Sequence, residues 1–220
     1  MTRNAFDYYP TPPTAGLALR DWLLAAGIAP DKLLDPAAGQ GALPLWLEDL
    51  GSRWDAYEIQ PAFAPLLAGI AAVDEVRIGD SLGKAWPPCG VVANPPYGAL
   101  LEPFCRRIAK HCRTYGVVGA ALTRITFWGE RERDNMKPDL LLWIRGRISF
   151  TGDGKSDSSS HCWAVWLPVP SAHTRIQWLD PARPGDEDVA RWKRMLGCED
   201  LQGCLELEEK IAGAPRRGTR

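Results

Sequence analysis

The chain has 220 residues, 45% of them apolar, and a net charge of −1. That is enough material for one good-sized core and a small appendage, and it excludes a collagen-like, disordered or disulfide-stapled chain. The charge balance argues against a uniformly basic coat protein.

The start, Met1-Thr2-Arg3-Asn4, lacks the apolar core of a signal peptide. The mainly apolar stretch Leu17 to Ala29 is too short to span a bilayer and contains charges. The six cysteines (Cys89, Cys105, Cys112, Cys162, Cys198 and Cys204) form no Cys-x-x-Cys pair and no zinc-site spacing, so no metal is expected. Together these features predict a cytoplasmic protein with reduced, packing cysteines and no membrane partner.

Short β-rich runs alternate with helical patterns, the mark of an α/β chain with a mainly parallel sheet covered on both faces. Lys32 to Asp35 reads as a first strand. Ala42 to Leu50 reads as a helix, with Leu43, Trp46, Leu47 and Leu50 on one side. Trp54 to Ile59 is a second strand and Pro61 to Ala71 a helix weakened by Pro65 and Gly69. Glu75 to Ile78 is a third strand, and Gly90 to Ala93 a fourth that stops at Asn94-Pro95-Pro96. Phe104, Ile108 and Cys112 recur every four residues, giving an amphipathic helix over 102 to 113. Val117 to Leu122 is a fifth strand. Leu140 to Phe150 and Cys162 to Val169 form an antiparallel pair around the loop 151 to 160, which has no apolar anchor and reads as mobile. Residues 1–170 form the main domain. Residues 171–220 form a small helical appendage, with helices near Glu187 to Leu196 and Glu199 to Ile211 and a basic tail.

From Cys105 to Lys155 there are eleven basic residues and five acidic ones. Such segregated charge suits nucleic acid, although solvated helix faces give the same count.

Two strand ends carry the strongest chemical signals. Asp35-Pro36-Ala37-Ala38-Gly39-Gln40-Gly41 lies between a strand and a helix, where Gly39 and Gly41 let backbone approach a ligand. Glu58 ends the second strand, where a carboxylate accepts from both ribose hydroxyls of an adenosine. Asp80 follows the third and suits the adenine amino group. Each acid alone also fits a solvated strand end, but together they outline a nucleoside site. Asn94-Pro95-Pro96-Tyr97 ends the fourth strand. The Asn94 side-chain oxygen and the Pro95 carbonyl each suit one hydrogen of a planar –NH₂, the prolines fix the carbonyl direction, and Tyr97 stacks on the attached π system. A Pro-rich turn with a packing tyrosine is the plain alternative.

These motifs resemble those of the class I amino-methyltransferases. Asp35 to Gly41 is similar to their motif I, and Asn94 to Tyr97 to their catalytic motif IV. Asp7-Tyr8-Tyr9-Pro10-Thr11-Pro12-Pro13 resembles motif X of adenine-N6 DNA methyltransferases. Arg147 to Lys155 resembles a segment of the phage-type members. The resemblance spans roughly residues 5 to 168. It implies a Rossmann-like fold with a mainly parallel seven-stranded sheet, and S-adenosylmethionine as methyl donor. It assigns Thr11, Asp35, Ala37, Glu58, Asp80 and Pro96 to the cofactor, and Asn94, Pro95 and Tyr97 to the target amine, with Pro96 completing the motif. DNA is the implied partner, with the adenine flipped out and stacked on Tyr97. RNA adenine, a protein glutamine amide and a catalytically silent binding module are the alternatives. The motif order X, I, IV belongs to members with a C-terminal recognition domain, yet only about fifty residues follow Pro170. Selectivity is then either slight or carried by residues 123 to 138 and 151 to 160, with Lys155 on phosphate and Phe150 on the base opposite Tyr97.

Overall fold

The structure, a computed structural model, describes residues 9–150 and 159–197. It contains one eight-stranded sheet in the order β3-β2-β1-β4-β5-β7-β6-β8. In chain order the strands are β1 (Lys32–Asp35), β2 (Arg53–Glu58), β3 (Val73–Ile78), β4 (Gly90–Ala93), β5 (Gly119–Arg124), β6 (Leu140–Ile144), β7 (His161–Trp166) and β8 (Arg175–Leu179). The helices are α1 (Pro13–Ala25), α2 (Ala42–Trp46), α3 (Ala64–Ala68), α4 (Leu101–Tyr115) and α5 (Asp186–Gly197). β7 runs antiparallel to β5 and β6, and every other pairing is parallel.

The central strands are apolar along their length because both faces are covered. On one face Leu33, Val92, Leu122, Leu142 and Trp163 pack with Leu19 and Leu23 of α1, Trp46 of α2 and Trp192 of α5. On the other, Leu34, Val91, Ala121 and Trp166 pack with Cys105, Ile108 and Cys112 of α4. Indole N–H groups reach across this core to backbone: Trp46 Nε1 donates to the Thr11 carbonyl at 2.8 Å, and Trp163 Nε1 to that of Ala15 at 3.0 Å. The first bond fastens the segment before α1 to α2, and the second fastens the first turn of α1 to the sheet.

Several elements differ from the sequence expectation. The sheet has eight strands rather than seven, because Arg175–Leu179 pairs in parallel with the outer edge of β6. The chain after Pro170 therefore contributes a strand as well as the helix α5. The helix expected over 42 to 50 stops at Trp46 and continues as a 3-10 turn, Glu48–Leu50, closed by left-handed Gly51. The segment 61 to 71 divides into a 3-10 turn (Pro61–Phe63) and the single turn of α3, since Pro65 has no N–H to continue a longer helix. β6 ends at Ile144, followed by a turn with Gly146 at φ +77°. Gly116, also left-handed, caps α4 by donating to the Cys112 carbonyl. Helix α1 is absent from the sequence expectation; it begins with Pro13 in its first turn, where a missing N–H costs little. The expected second C-terminal helix, the basic tail, Lys155 and most of the loop 151 to 160 lie outside the described residues. Among the described residues no helix is long and apolar enough to cross a membrane.

Candidate active site

β1, β2, β3 and β4 run in parallel, so Asp35, Glu58, Asp80 and Asn94 emerge at one edge of the sheet. A cleft of about 620 Å³ opens there, lined by all four together with Thr11, Ala37, Gly39, Pro96 and Tyr97. Its size is that of a typical small-molecule or cofactor site.

The floor is the turn after β1. Asp35 is 1% exposed, and its Oδ1 accepts the Ala37 N–H at 3.1 Å. Burial pushes its carboxyl up to about 8; the Ala37 bond opposes this and the charge of Glu58 adds to it. Glu58 is also buried. Its Oε2 accepts from the Gly39 N–H at 2.7 Å and its Oε1 from the Gln60 N–H at 2.8 Å. Burial raises its carboxyl too, against the pull of the Gln60, Gly39 and Ile59 N–H groups. Neither acid has an ion-pair partner among the described residues. Two buried carboxyls without a cation make the cleft receptive to a cationic ligand.

Gly41 does not line the cleft. It caps α2 at φ +83°, and a Cβ placed there would lie 2.2 Å from Ile70 Cδ1. Its role is to let the turn close against α3 and the residues just after it. Gly39, at φ +54°, does line the cleft and presents the N–H held by Glu58. Gln40 is buried behind it, with its Nε2 donating to the Met195 carbonyl of α5 at 3.3 Å.

Asp80 is exposed at the rim and caps a 3-10 turn, Ser81–Gly83, by accepting from the Leu82 N–H at 2.9 Å. Arg107 of α4 clamps this turn. Its guanidinium donates to the carbonyls of Ser81, Leu82 and Lys84 and stacks 4.3 Å from the Trp86 ring. Burial lowers its pKa. Several arginines of the basic stretch are thus structural: Arg113 likewise pairs with buried Asp139 at 2.9 Å.

At the far wall the Asn94 Nδ2 donates to the Tyr9 carbonyl at 2.9 Å. That bond fixes the amide orientation, since the flipped amide would set two carbonyl oxygens against each other. The Asn94 Oδ1 is buried and has no hydrogen-bond partner among the described residues. Pro95 follows, buried, beyond the last paired residue of β4. Tyr97 meets the edges or faces of Phe150 and His161 with centroids 6.2 and 6.0 Å away, and the Arg124 guanidinium lies 5.4 Å from its centroid. Phe150 is 7% exposed and stands at 79° to Tyr97. The two rings therefore stand edge to face and form no parallel slot.

Tyr9, Gln40, Arg107 and His161 complete the site or its supports, roles that the sequence pattern does not reveal. The only signal for Tyr9 is its place in the segment before Pro10. Its contribution is a backbone carbonyl, which leaves no mark in the side-chain pattern.

No family model matches the sequence, and no curated protein matches it. Solved structures do. A proposed RNA methyltransferase from Pyrococcus horikoshii superposes with a TM-score of 0.61 at 18% identity, covering 74% of this chain and 89% of that one. The modification subunit of a proposed type I restriction enzyme from Vibrio vulnificus superposes with a TM-score of 0.52 at 13% identity, covering 97% of this chain and 54% of that one. The fold is that of the class I methyltransferases. The cleft lies at the carboxyl edge of this sheet, lined by acids and beside an oriented amide, the place where open α/β sheets bind their ligands.

Proposed function

We propose that the protein transfers a methyl group from S-adenosylmethionine to N6 of adenine in DNA. The observation that carries this reading is the Asn94 Oδ1, a buried acceptor with no partner among the described residues, oriented by Tyr9 on the wall of an acid-lined cleft. Such an oxygen is costly to leave unpaired, and it suits a substrate N–H.

When bound, S-adenosylmethionine supplies an electrophilic methyl group on sulfur. Glu58 would accept from the ribose hydroxyls, Asp80 from the adenine amino group, and Asp35 would pair with the cationic amino-acid end. Thr11, Ala37, Gly39 and Pro96 would shape the walls. The Asn94 Oδ1 and the Pro95 carbonyl would accept the two hydrogens of the target amine. Holding both hydrogens draws the nitrogen lone pair out of the ring and toward the methyl group. Tyr97 would stack on the flipped base. The nitrogen lone pair would form the new N–C bond as the sulfur–methyl bond breaks with its electron pair left on sulfur, a neutral thioether would depart, and the surplus proton on nitrogen would pass to water. Positioning and preorganised acceptors supply the acceleration, with no covalent nucleophile.

Motifs X and IV in this order favour DNA. The likeness to a proposed RNA methyltransferase favours RNA adenine as a second reading. The test incubates DNA and RNA separately with protein and S-adenosylmethionine, digests each to nucleosides and measures methylated products by mass spectrometry. N6-methyladenine in DNA, strongly reduced in Asn94→Ala, is the expected result. Methylation confined to RNA replaces the substrate, and methylcytosine as sole product overturns the adenine assignment.

A further inference from the structure

The eighth strand, absent from the sequence expectation, carries a second feature. β6 and β8 end at the same edge of the sheet as β4, because all three run in parallel through the intervening pairings. Trp143 and Trp178 stand opposite each other in this ladder, one residue before the two strands end. Their rings lie 5.1 Å apart at 34°, and the Arg145 guanidinium is 5.6 Å from the Trp178 ring. Trp178 is 55% exposed, and Ile176, on the same side of β8, is 62% exposed. The opposite side of the strand is engaged, with Leu179 in the core and Gln177 accepting from Trp22.

A large indole left half in water next to a second indole and an arginine is unusual for a strand that otherwise only closes a sheet. Exposed Arg145 supplies a guanidinium beside the pair, and its only ion-pair partner among the described residues is the exposed Asp180 at 3.4 Å, a contact that water screens. Aromatic faces combined with arginine match unpaired bases and the phosphates between them. With strands about 4.8 Å apart, β6 and β8 lie about 14 and 19 Å from β4. At about 3.4 Å per nucleotide in a stacked strand, that is about four to six nucleotides from a base held at Asn94.

We infer that Trp143, Trp178 and Arg145 form a stacking platform for unpaired nucleotides of the DNA strand that enters the active site. This inference rests on the nucleic-acid reading of that site and names where the strand continues. It supplies a hold on the substrate within the main sheet.

The test measures binding of a short fluorescent single-stranded oligodeoxynucleotide by anisotropy, with wild-type protein, Trp178→Ala, Trp178→Phe and Arg145→Glu. Trp178→Ala is expected to bind about tenfold more weakly, while Trp178→Phe keeps most of the affinity. Arg145→Glu should weaken binding and flatten its salt dependence. Cofactor affinity stays unchanged in all three, which reports a folded protein. Trp178→Ala binding as tightly as wild type overturns the platform, as does a change in its sedimentation from dimer to monomer, which would make this face a contact between copies. If wild-type protein methylates DNA while Trp178→Ala binds normally, the platform alone falls. If wild-type protein methylates no nucleic acid, the underlying reading falls with it.

Discussion

The Asn94 side-chain amide donates to the Tyr9 backbone carbonyl at 2.9 Å, joining the end of β4 to the segment that precedes α1. Asn94→Asp exchanges that donor for a carboxylate facing a carbonyl oxygen. A protonated carboxyl can still donate, so the variant should lose at least about tenfold in turnover near neutral pH and regain part of it on acidification. Asn94→Ala should lose about 10²–10³-fold with cofactor affinity preserved. The pH profile of kcat for Asn94→Asp checks the first statement. A profile parallel to wild type would mean the bond to Tyr9 does not orient the amide.

Glu58 serves the Gly39 turn as well as any ligand, since both its oxygens already accept backbone N–H groups. Glu58→Ala should weaken S-adenosylmethionine binding by about one to two orders of magnitude, the scale of a lost charge-assisted hydrogen bond. Glu58→Gln retains one acceptor oxygen and should fall between. Calorimetric titration of the two variants gives the order, and equal affinities for wild type and Glu58→Ala would remove Glu58 from the site.

Asp35 gives a pH signature. Its carboxyl is pushed up to about 8 in the folded protein by burial, far above the unfolded value near 4. A raised carboxyl contributes stability that is fully present at low pH and is lost as pH rises through the folded value. The cofactor-free protein should therefore lose stability between about pH 4 and pH 8, and Asp35→Asn should remove much of that slope and unfold at higher temperature than wild type above pH 8. At pH 7, pairing with a cationic ligand should release a proton. Titration of S-adenosylmethionine in buffers of different ionisation enthalpy reads this directly, and Asp35→Asn should show a much smaller buffer dependence.

Gly41→Ala should destabilise the fold by about 2 kcal/mol or more, combining left-handed strain with the contact on Ile70. Ile70→Val trims the atom that is struck. The double variant should therefore recover part of the loss and keep the strain, about 1–2 kcal/mol. Thermal unfolding of the four proteins closes the cycle, and strict additivity would contradict the close approach of Gly41 to Ile70.

Much of this was legible because punctuation and chemistry coincide along the chain. β4 has the bounds expected from sequence, with Gly90 opening it and Asn94-Pro95 closing it. Asp35, Glu58, Asp80 and Asn94 each end or follow a parallel strand, so placing the strands was enough to bring the four together. β8 was not legible. Four of its five residues are exposed, so burial imposes no pattern on a short edge strand. The supports from Tyr9 and Met195 come through backbone carbonyls, and partners 85 and 155 residues apart leave no local trace. Phe150 is legible as a neighbour of Tyr97, but its tilt depends on packing with His161 and Tyr9.

The bond from Gln40 to Met195 also sets an order of events during synthesis. The turn that floors the cleft is translated early, yet its brace lies in α5, near the end of the described chain. β7, which carries Trp163 to the Ala15 carbonyl, also arrives late. A growing chain on the ribosome can pair β1 to β4 and hold Gly39 through Glu58, yet still lack the Gln40 contact to α5. Cofactor capture should accordingly tighten once α5 has emerged, and a chain halted before it should bind the cofactor more weakly than the full chain.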